Sequence, residues 1–414
     1  MVADKIVLAY SGGLDTSCIL KWLINKGHPV VCYMANVGQT EDFEAAKAKA
    51  LKLGASQVVI EDLREEFVEN YVWPAVSYGL VYESRYLLGT ALARPCISVG
   101  LINCLKASTY WTIKRSHCRM APPVRATTRC ASSWPATPCC PMSSLSVQII
   151  APWRQADFVA QFSGRRELLQ FAADNDIPVP VTPKAPWSMD ANIMHTSYES
   201  GVLEDPDQEP PAELYLMTRP ASEAPEQACR LAISFEKGRP VLLELEDGRK
   251  LTTSLDILET LNEIGGQHGV GRIDIVENRF LGLKSRGVYE TPGVTILHQA
   301  HLDLETFCLD REVYRVKQLL KDRLADYVYN GFWFSPEVQF TRKCLDLAAE
   351  NVQGTVKLQV HKGAVTVLGR SSSKAPYNAD LVSMDQLVGF GPQDATGFIK
   401  IQAIRLREHQ RLTH

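Results

Sequence analysis

The chain has 414 residues, with 44 Lys and Arg against 47 Asp and Glu, and 11 Cys. That length excludes a small disulfide-stapled scaffold and suggests two or three domains. A net charge of −3 excludes a globally basic nucleic-acid binder, and 22% charged residues with ordinary hydrophobicity exclude a disordered chain.

Residues 5–10 form a short apolar run that ends in Ser11-Gly12-Gly13, which predicts a buried strand entering a glycine turn. Residues 15–23 then take on helical spacing. A strand is predicted over 30–35, an Ala/Lys/Glu-rich helix over 41–53 and a strand over 56–60. This β-α-β-α-β alternation predicts a parallel sheet with crossover helices. Residues 178–186 are proline-rich, as at a linker or domain edge. Residues 200–226 are acidic, Pro-rich and loop-like. Strand-like runs follow at 231–236, 240–245, 355–360 and 364–368, with helical stretches at 255–264 and 304–326. That reads as a second, α+β domain. The tail 396–412 is Arg-rich, with Ile399, Ile401, Ile404 and Leu406 at roughly helical spacing. No run approaches the ~18 apolar residues of a membrane span. The N-terminus leads into too few apolar residues for a signal peptide. The expectation is a soluble cytoplasmic protein with reduced thiols and no nucleic-acid or membrane partner.

One stretch breaks the averages. Between Glu83 and Asp157 there is no Asp or Glu over 73 residues, and the same span holds nine basic residues. The rest of the chain carries 35 basic and 47 acidic residues, a net −12. Cys104, Cys118, Cys130, Cys139 and Cys140 all lie between Ile97 and Val147, with five prolines. A basic insert, a disordered linker and a segment foreign to the fold all fit that composition.

The strongest signal is Ala9-Tyr10-Ser11-Gly12-Gly13-Leu14-Asp15-Thr16-Ser17. Two glycines let the backbone approach an anion closely, and the helix start presents free N–H groups and the positive end of its dipole. Ser11, Thr16 and Ser17 add hydroxyl donors. Asp15 suits phosphates only if it faces Mg²⁺ or the nucleotide sugar. The spacing is not that of a Walker loop. A plain tight turn with a Ser or Asp cap is the simpler alternative.

Ser-Gly-Gly-x-Asp-[ST]-[ST] resembles the loop of the ATP pyrophosphatases, which cleave ATP to AMP and pyrophosphate. Further blocks resemble the argininosuccinate synthase family. They are Glu83 to Pro95, Ile149 to Arg154, Thr182 to Asp190 with His195 to Glu199, Gly269 to Arg279, Lys284 to Pro292, and Asp394 to Phe398. The resemblance covers 5–96 and 148–414. It implies an α/β fold: a parallel-sheet nucleotide-binding domain of the adenine nucleotide alpha-hydrolase type over 1–170, an α+β synthetase domain over 171–375 and a C-terminal helical tail over 376–414. It also implies a homotetramer built with that tail.

The implied reaction joins citrulline to aspartate with ATP and Mg²⁺. The ureido oxygen attacks the α-phosphate and pyrophosphate leaves; the aspartate amine then attacks the ureido carbon and AMP leaves. Ala9, Tyr10, Ser11, Gly12, Gly13, Leu14, Asp15, Thr16, Ser17 and Ala35 are expected to line the ATP site. Tyr86, Ser188, Ser197, Glu277 and Tyr289 are expected to hold citrulline, with Glu277 pairing the α-ammonium. No side-chain acid or base is expected to be catalytic, and Asp15 is the candidate for positioning Mg²⁺ or phosphate. No protein metal site is expected; Cys139-Cys140 lacks zinc spacing. Ala91 departs from the Ser often found there in the family.

Plainer alternatives stand beside these roles. Tyr86 alone reads as a packed tyrosine, Glu277 as a solvated ion pair with Arg279, and Ser188 as the cap of a helix starting at Met189. An inactive relative and another ATP pyrophosphatase, such as a tRNA thiolase, are the competing functions. A thiolase would need catalytic cysteines and a basic RNA face.

The family's second glycine loop, His-Gly-Ala-Thr-Gly-Lys-Gly-Asn-Asp-Gln-Val-Arg-Phe-Glu, contacts ATP, aspartate and citrulline. At its place the chain reads Met120-Ala121-Pro122-Pro123-Val124-Arg125 and on to Pro141. With suitable codons, Met120 to Pro141 read from one base earlier encodes that loop. A frameshifted segment within about residues 97–147 follows. It accounts for the lost acids and the surplus Cys and Pro. The aspartate site is therefore expected to have no residue here, and the stretch is expected to lack the helix and strand it owes the sheet.

Overall fold

Strand β1 (Ile6–Ala9) is apolar on both faces, as a central strand of a covered parallel sheet must be. A computed structural model describes residues 5–110, 118–121, 147–178, 187–383, 389, 391 and 393–413. The chain divides into two compact units, Met1–Lys374 and Ala375–His414.

In the first unit β1 is flanked by β2 (Val30–Asn36), β3 (Gln57–Asp62), β4 (Cys118–Ala121) and β5 (Val147–Ile149). All pair in parallel, in the order β3-β2-β1-β4-β5. The connections are α1 (Leu14–Asn25), α2 (Phe43–Lys52), α3 (Arg64–Phe67), a π turn (Val68–Val72), α4 (Trp73–Tyr78) and α5 (Gly89–Tyr110). Helices α6 (Ala156–Gln161) and α7 (Arg165–Asp174) follow β5. Alternation along the strands splits the core. Ile6 and Leu8 pack with Ile19, Phe158 and Leu168, whereas Val7 packs on the other face with Val31, Tyr33 and Leu92.

The expected gap in the sheet is corrected. β4 pairs with β1 through Ile6↔Arg119 to Leu8↔Ala121. Backbone N–H and C=O groups make that ladder, and any sequence supplies them. Helix α5 also runs on to Tyr110, with Leu101, Ile102 and Leu105 buried. Residues 111–117 and 122–146, the greater part of the segment assigned to a shifted frame, lie outside the described residues, as do 179–186 of the proline-rich linker.

The second half of this unit carries two antiparallel sheets. One has the order β10-β9-β8-β13-β14, from β8 (Cys229–Glu236), β9 (Arg239–Leu245), β10 (Lys250–Leu251), β13 (Gly354–His361) and β14 (Ala364–Ser371). The other has the order β11-β12-β7-β6, from β6 (Ser188–Ala191), β7 (Thr196–Glu199), β11 (Arg272–Asn278) and β12 (Lys284–Glu290). Four helices accompany them: α8 (Ser254–Gln267), α9 (Pro292–Cys308), α10 (Arg311–Tyr329) and α11 (Pro336–Ala349). The helix expected over 304–326 is two helices. Asp310 sits outside helical geometry and accepts from the N–H groups of Glu312 and Val313, starting α10 afresh. Within 200–226 there are only three short 3-10 turns.

In the second unit, α12 (Asp394–Thr413) is exposed along its length, including Phe398, Ile399, Ile401, Ile404 and Leu412.

Candidate active site

The glycine loop leaves the C-terminal end of β1. From β1 the chain turns one way to β2 and β3, while β4 and β5 lie on the other side. Such a reversal opens a crevice at the strand ends, where open α/β sheets bind ligands. Gly12 has φ +72°, and a Cβ there would stand 3.1 Å from the Ala46 Cβ of α2. A glycine is needed for both reasons. Gly13 caps α1 without a side chain, so no side-chain cap satisfies the first N–H groups of the helix. The hydroxyls are organised: Ser11 Oγ lies 3.2 Å from Thr16 Oγ1, and Tyr10 Oη 3.1 Å from Ser17 Oγ. Lys49 donates to the Gly12 carbonyl at 2.7 Å. Ala35 ends the buried part of β2.

A second site lies among β6, β7, β11, β12, the start of α5 and the end of α10. It is a pocket of about 740 Å³, counting the part open to solvent. Tyr86, Ser197, Glu277 and Tyr289 all line it, with Thr90, Arg94, Asp190, Glu199, Arg279 and Tyr329. Register explains part of this: Ser197 and Tyr289 are direct partners across β7 and β12. Gly287 leaves room for the tyrosine, since a Cβ there would stand 2.3 Å from the Tyr289 hydroxyl. The Tyr86 and Tyr289 rings stack at 4.2 Å.

Glu277 is fully buried. Its Oε1 accepts from the hydroxyls of Tyr329 at 2.8 Å and Tyr289 at 3.0 Å, and Arg279 Nη1 lies 3.3 Å away. Its Oε2 is buried with no partner among the described residues. Burial raises the Glu277 carboxyl above its ordinary pKa of 4.5, opposed by Arg279 and the two phenols. Arg279 also reaches Glu199 at 3.0 Å. His195 packs behind the tyrosines with Nε2 2.8 Å from Thr90 Oγ1, and burial lowers its pKa to about 3, so it is neutral.

Two readings change here. The Glu277–Arg279 pair is not a solvated one: Glu277 is fully buried and Arg279 mostly so, because Tyr289 of β12 and Tyr329 of α10 cover the carboxylate. Ser188 opens strand β6 rather than capping a helix; it is exposed and lies outside the pocket lining, opposite Glu199. Sequence reasoning did not single out Thr90, Arg94, Asp190, Glu199 or Tyr329. Arg279 had a signal, since i and i+2 share a strand face. Tyr329 had none.

A parallel sheet with a glycine loop at its strand reversal, joined to antiparallel sheets that bury a half-satisfied carboxylate in a pocket, defines a nucleotide-binding synthetase. Residues 5–117 match the Arginosuccinate synthase N-terminal HUP domain and 187–409 the Arginosuccinate synthase C-terminal domain. The chain is 53% identical over 411 residues to the argininosuccinate synthase of Aedes aegypti, covering 99% of this chain and 97% of that one. It is 53% identical over 414 residues to that of Danio rerio, covering 100% and 98%. It is 50% identical over 410 residues to that of Rattus norvegicus, covering 99% and 97%. The chain belongs to the argininosuccinate synthase family, a family of ATP-using ligases.

Proposed function

We propose that the chain is built to condense citrulline with aspartate, releasing AMP and pyrophosphate. The observation that carries this, beside the family, is the free Oε2 of Glu277 inside a tyrosine-lined pocket. A buried carboxylate oxygen lacking a donor suits an ammonium group. Glu277 takes the α-ammonium of citrulline, while Tyr86, Ser197 and Tyr289 orient its polar groups; Ser188 belongs to this set only if citrulline extends toward the exposed end of β6. Residues Ala9 to Ser17 and Ala35 hold ATP, the α1 N–H groups facing phosphate. The ureido oxygen then forms its bond to the α-phosphorus as pyrophosphate leaves. The aspartate amine forms the C–N bond as AMP leaves, with loss of a proton from nitrogen. Orientation and charge stabilisation do most of this work. Among the described residues no three His, Cys, Asp or Glu side chains gather as a metal site. Mg²⁺ would be held by nucleotide phosphates and water with Asp15, which fits its preference for few protein carboxylates.

The 414-residue chain itself is impaired. In the family the second glycine loop would follow β4 and form the other lip of the crevice. Here Pro122, Pro123 and their successors stand in its place. No aspartate-binding residue is assigned. A homotetramer resting on the apolar face of α12, and a cytoplasmic location, complete the proposal. No described helix is long and apolar enough to cross a membrane.

The test is citrulline- and aspartate-dependent pyrophosphate release, by this chain and by one with 97–147 re-read in the restored frame. The restored chain is expected to be active and the literal chain at least about a hundredfold slower, the scale of lost positioning. Equal rates would overturn the impairment. An inactive restored chain would overturn the assigned reaction. Transcript reads across these codons decide whether the shift is carried by the gene.

A further inference from the structure

We infer that Tyr329, at the end of α10, is a positioning residue: by engaging Glu277 Oε1 it leaves Oε2 turned into the pocket as the atom that pairs a substrate ammonium. The inference rests on the citrulline reading of this pocket and deepens it.

The donors around Glu277 are unevenly shared. Tyr329, Tyr289 and Arg279 all address Oε1, and nothing described addresses Oε2. Tyr289 comes from β12 and Tyr329 from α10, so the carboxylate is gripped from two separate elements. One phenol alone would leave the carboxylate plane free to turn. The Tyr329 ring is itself fixed: it stacks on Tyr82 at 3.8 Å with 7° between planes and meets Tyr86 edge-on at 6.3 Å. The Tyr82 hydroxyl in turn donates to the Asn278 carbonyl, beside Glu277 on β11. Charge points the same way. Glu277 and Glu199 share the single guanidinium of Arg279. The wider lining adds Arg94 and Asp190, which leaves one negative charge in excess. The ammonium of a zwitterion placed at Oε2 offsets that excess locally and satisfies the orphaned oxygen, while its carboxylate lies away from Glu277.

Tyr329→Phe keeps the ring and removes only the hydroxyl. Hydrogen bonds to charged groups are worth enough that citrulline binding by the full chain, measured by titration calorimetry, is expected to weaken about ten- to a hundredfold. Binding of 5-ureidopentanoate, which is citrulline without its α-amino group, is expected to stay within about twofold. Tyr82→Phe keeps the stack and removes only the outer contact to the Asn278 carbonyl, so citrulline binding is expected to fall far less than in Tyr329→Phe; an equal fall would overturn the inference. The acid-side fall of citrulline binding is expected to move to higher pH in Tyr329→Phe. Arg279, Tyr289, Tyr86 and Glu83 still face Glu277, but one donor that favours its ionised form is gone. Unchanged citrulline binding would overturn the inference. So would an equal loss for both ligands, which would mark a packing role. Failure of both this chain and the chain re-read in the restored frame over 97–147 to bind citrulline would overturn the pocket assignment, and this inference with it, before any variant is compared.

Discussion

Glu277 and Glu290 sit near opposite ends of the same strand pair, β11 and β12, and both are fully buried. Their surroundings differ completely. Glu290 accepts from the hydroxyls of Tyr198 and Thr218 at 2.6 and 2.5 Å, and from the backbone N–H groups of Leu216, Met217 and Thr218. Both its oxygens are satisfied, and it pins the chain after 3-10 turn Ala212–Leu214 to the sheet. Glu277, which lines a pocket, has one satisfied oxygen and one that is buried with no donor among the described residues. Burial alone therefore separates nothing; the donor count on each oxygen distinguishes a carboxylate locked into the fold from one with an acceptor to spare.

Substitutions can break that contrast. Glu290→Ala strands several buried donors and should cost about 3–5 kcal/mol of stability, read by urea unfolding. Survival at parental stability would show that these donors find other partners. Glu277→Gln keeps the shape and an acceptor for the phenols. It should leave unfolding within about 1 kcal/mol of the parent, yet weaken citrulline about a hundredfold. Gly12→Ala tests the other site: a Cβ at φ +72° costs about 1–2 kcal/mol and should weaken ATP about tenfold with little change in citrulline.

The smallest effect is a pH dependence with two opposite signs. The folded Glu277 carboxyl titrates above 4.5. Its contribution to stability is therefore full below the unfolded value and is lost as pH rises through the folded value. Binding of an ammonium runs the other way, since it needs the ionised carboxylate. Paired pH titrations of unfolding and of citrulline binding should show both slopes, and Glu277→Gln should flatten both.

The first βαβ units were legible because 5–60 alternate cleanly between apolar runs and a charged helix. The glycine loop was legible because strand, glycines and hydroxyls fall in sequence. Strands β11 and β12 were quoted as family blocks, but their charged, mixed composition hid the period of two. Helix α11 was missed although Ser335 caps it and Pro336 stands at its first turn, a recognised start signal. The pocket was half legible. Tyr86, Ser197, Glu277 and Tyr289 came through the family resemblance. Tyr329 reaches them only through the crossing of α10 over the sheet, which no local pattern encodes.

The pocket draws one wall from Tyr86 and another from Tyr329, more than half the chain apart. Contacts of such long sequence separation carry a large loop-closure entropy and close slowly. The pocket thus exists only after the elements between Tyr86 and Tyr329 have come together, and a ligand seated there stabilises that finished state by mass action. A ligand of this pocket therefore has nothing to hold in a half-folded chain and adds stability only to molecules that have completed the fold.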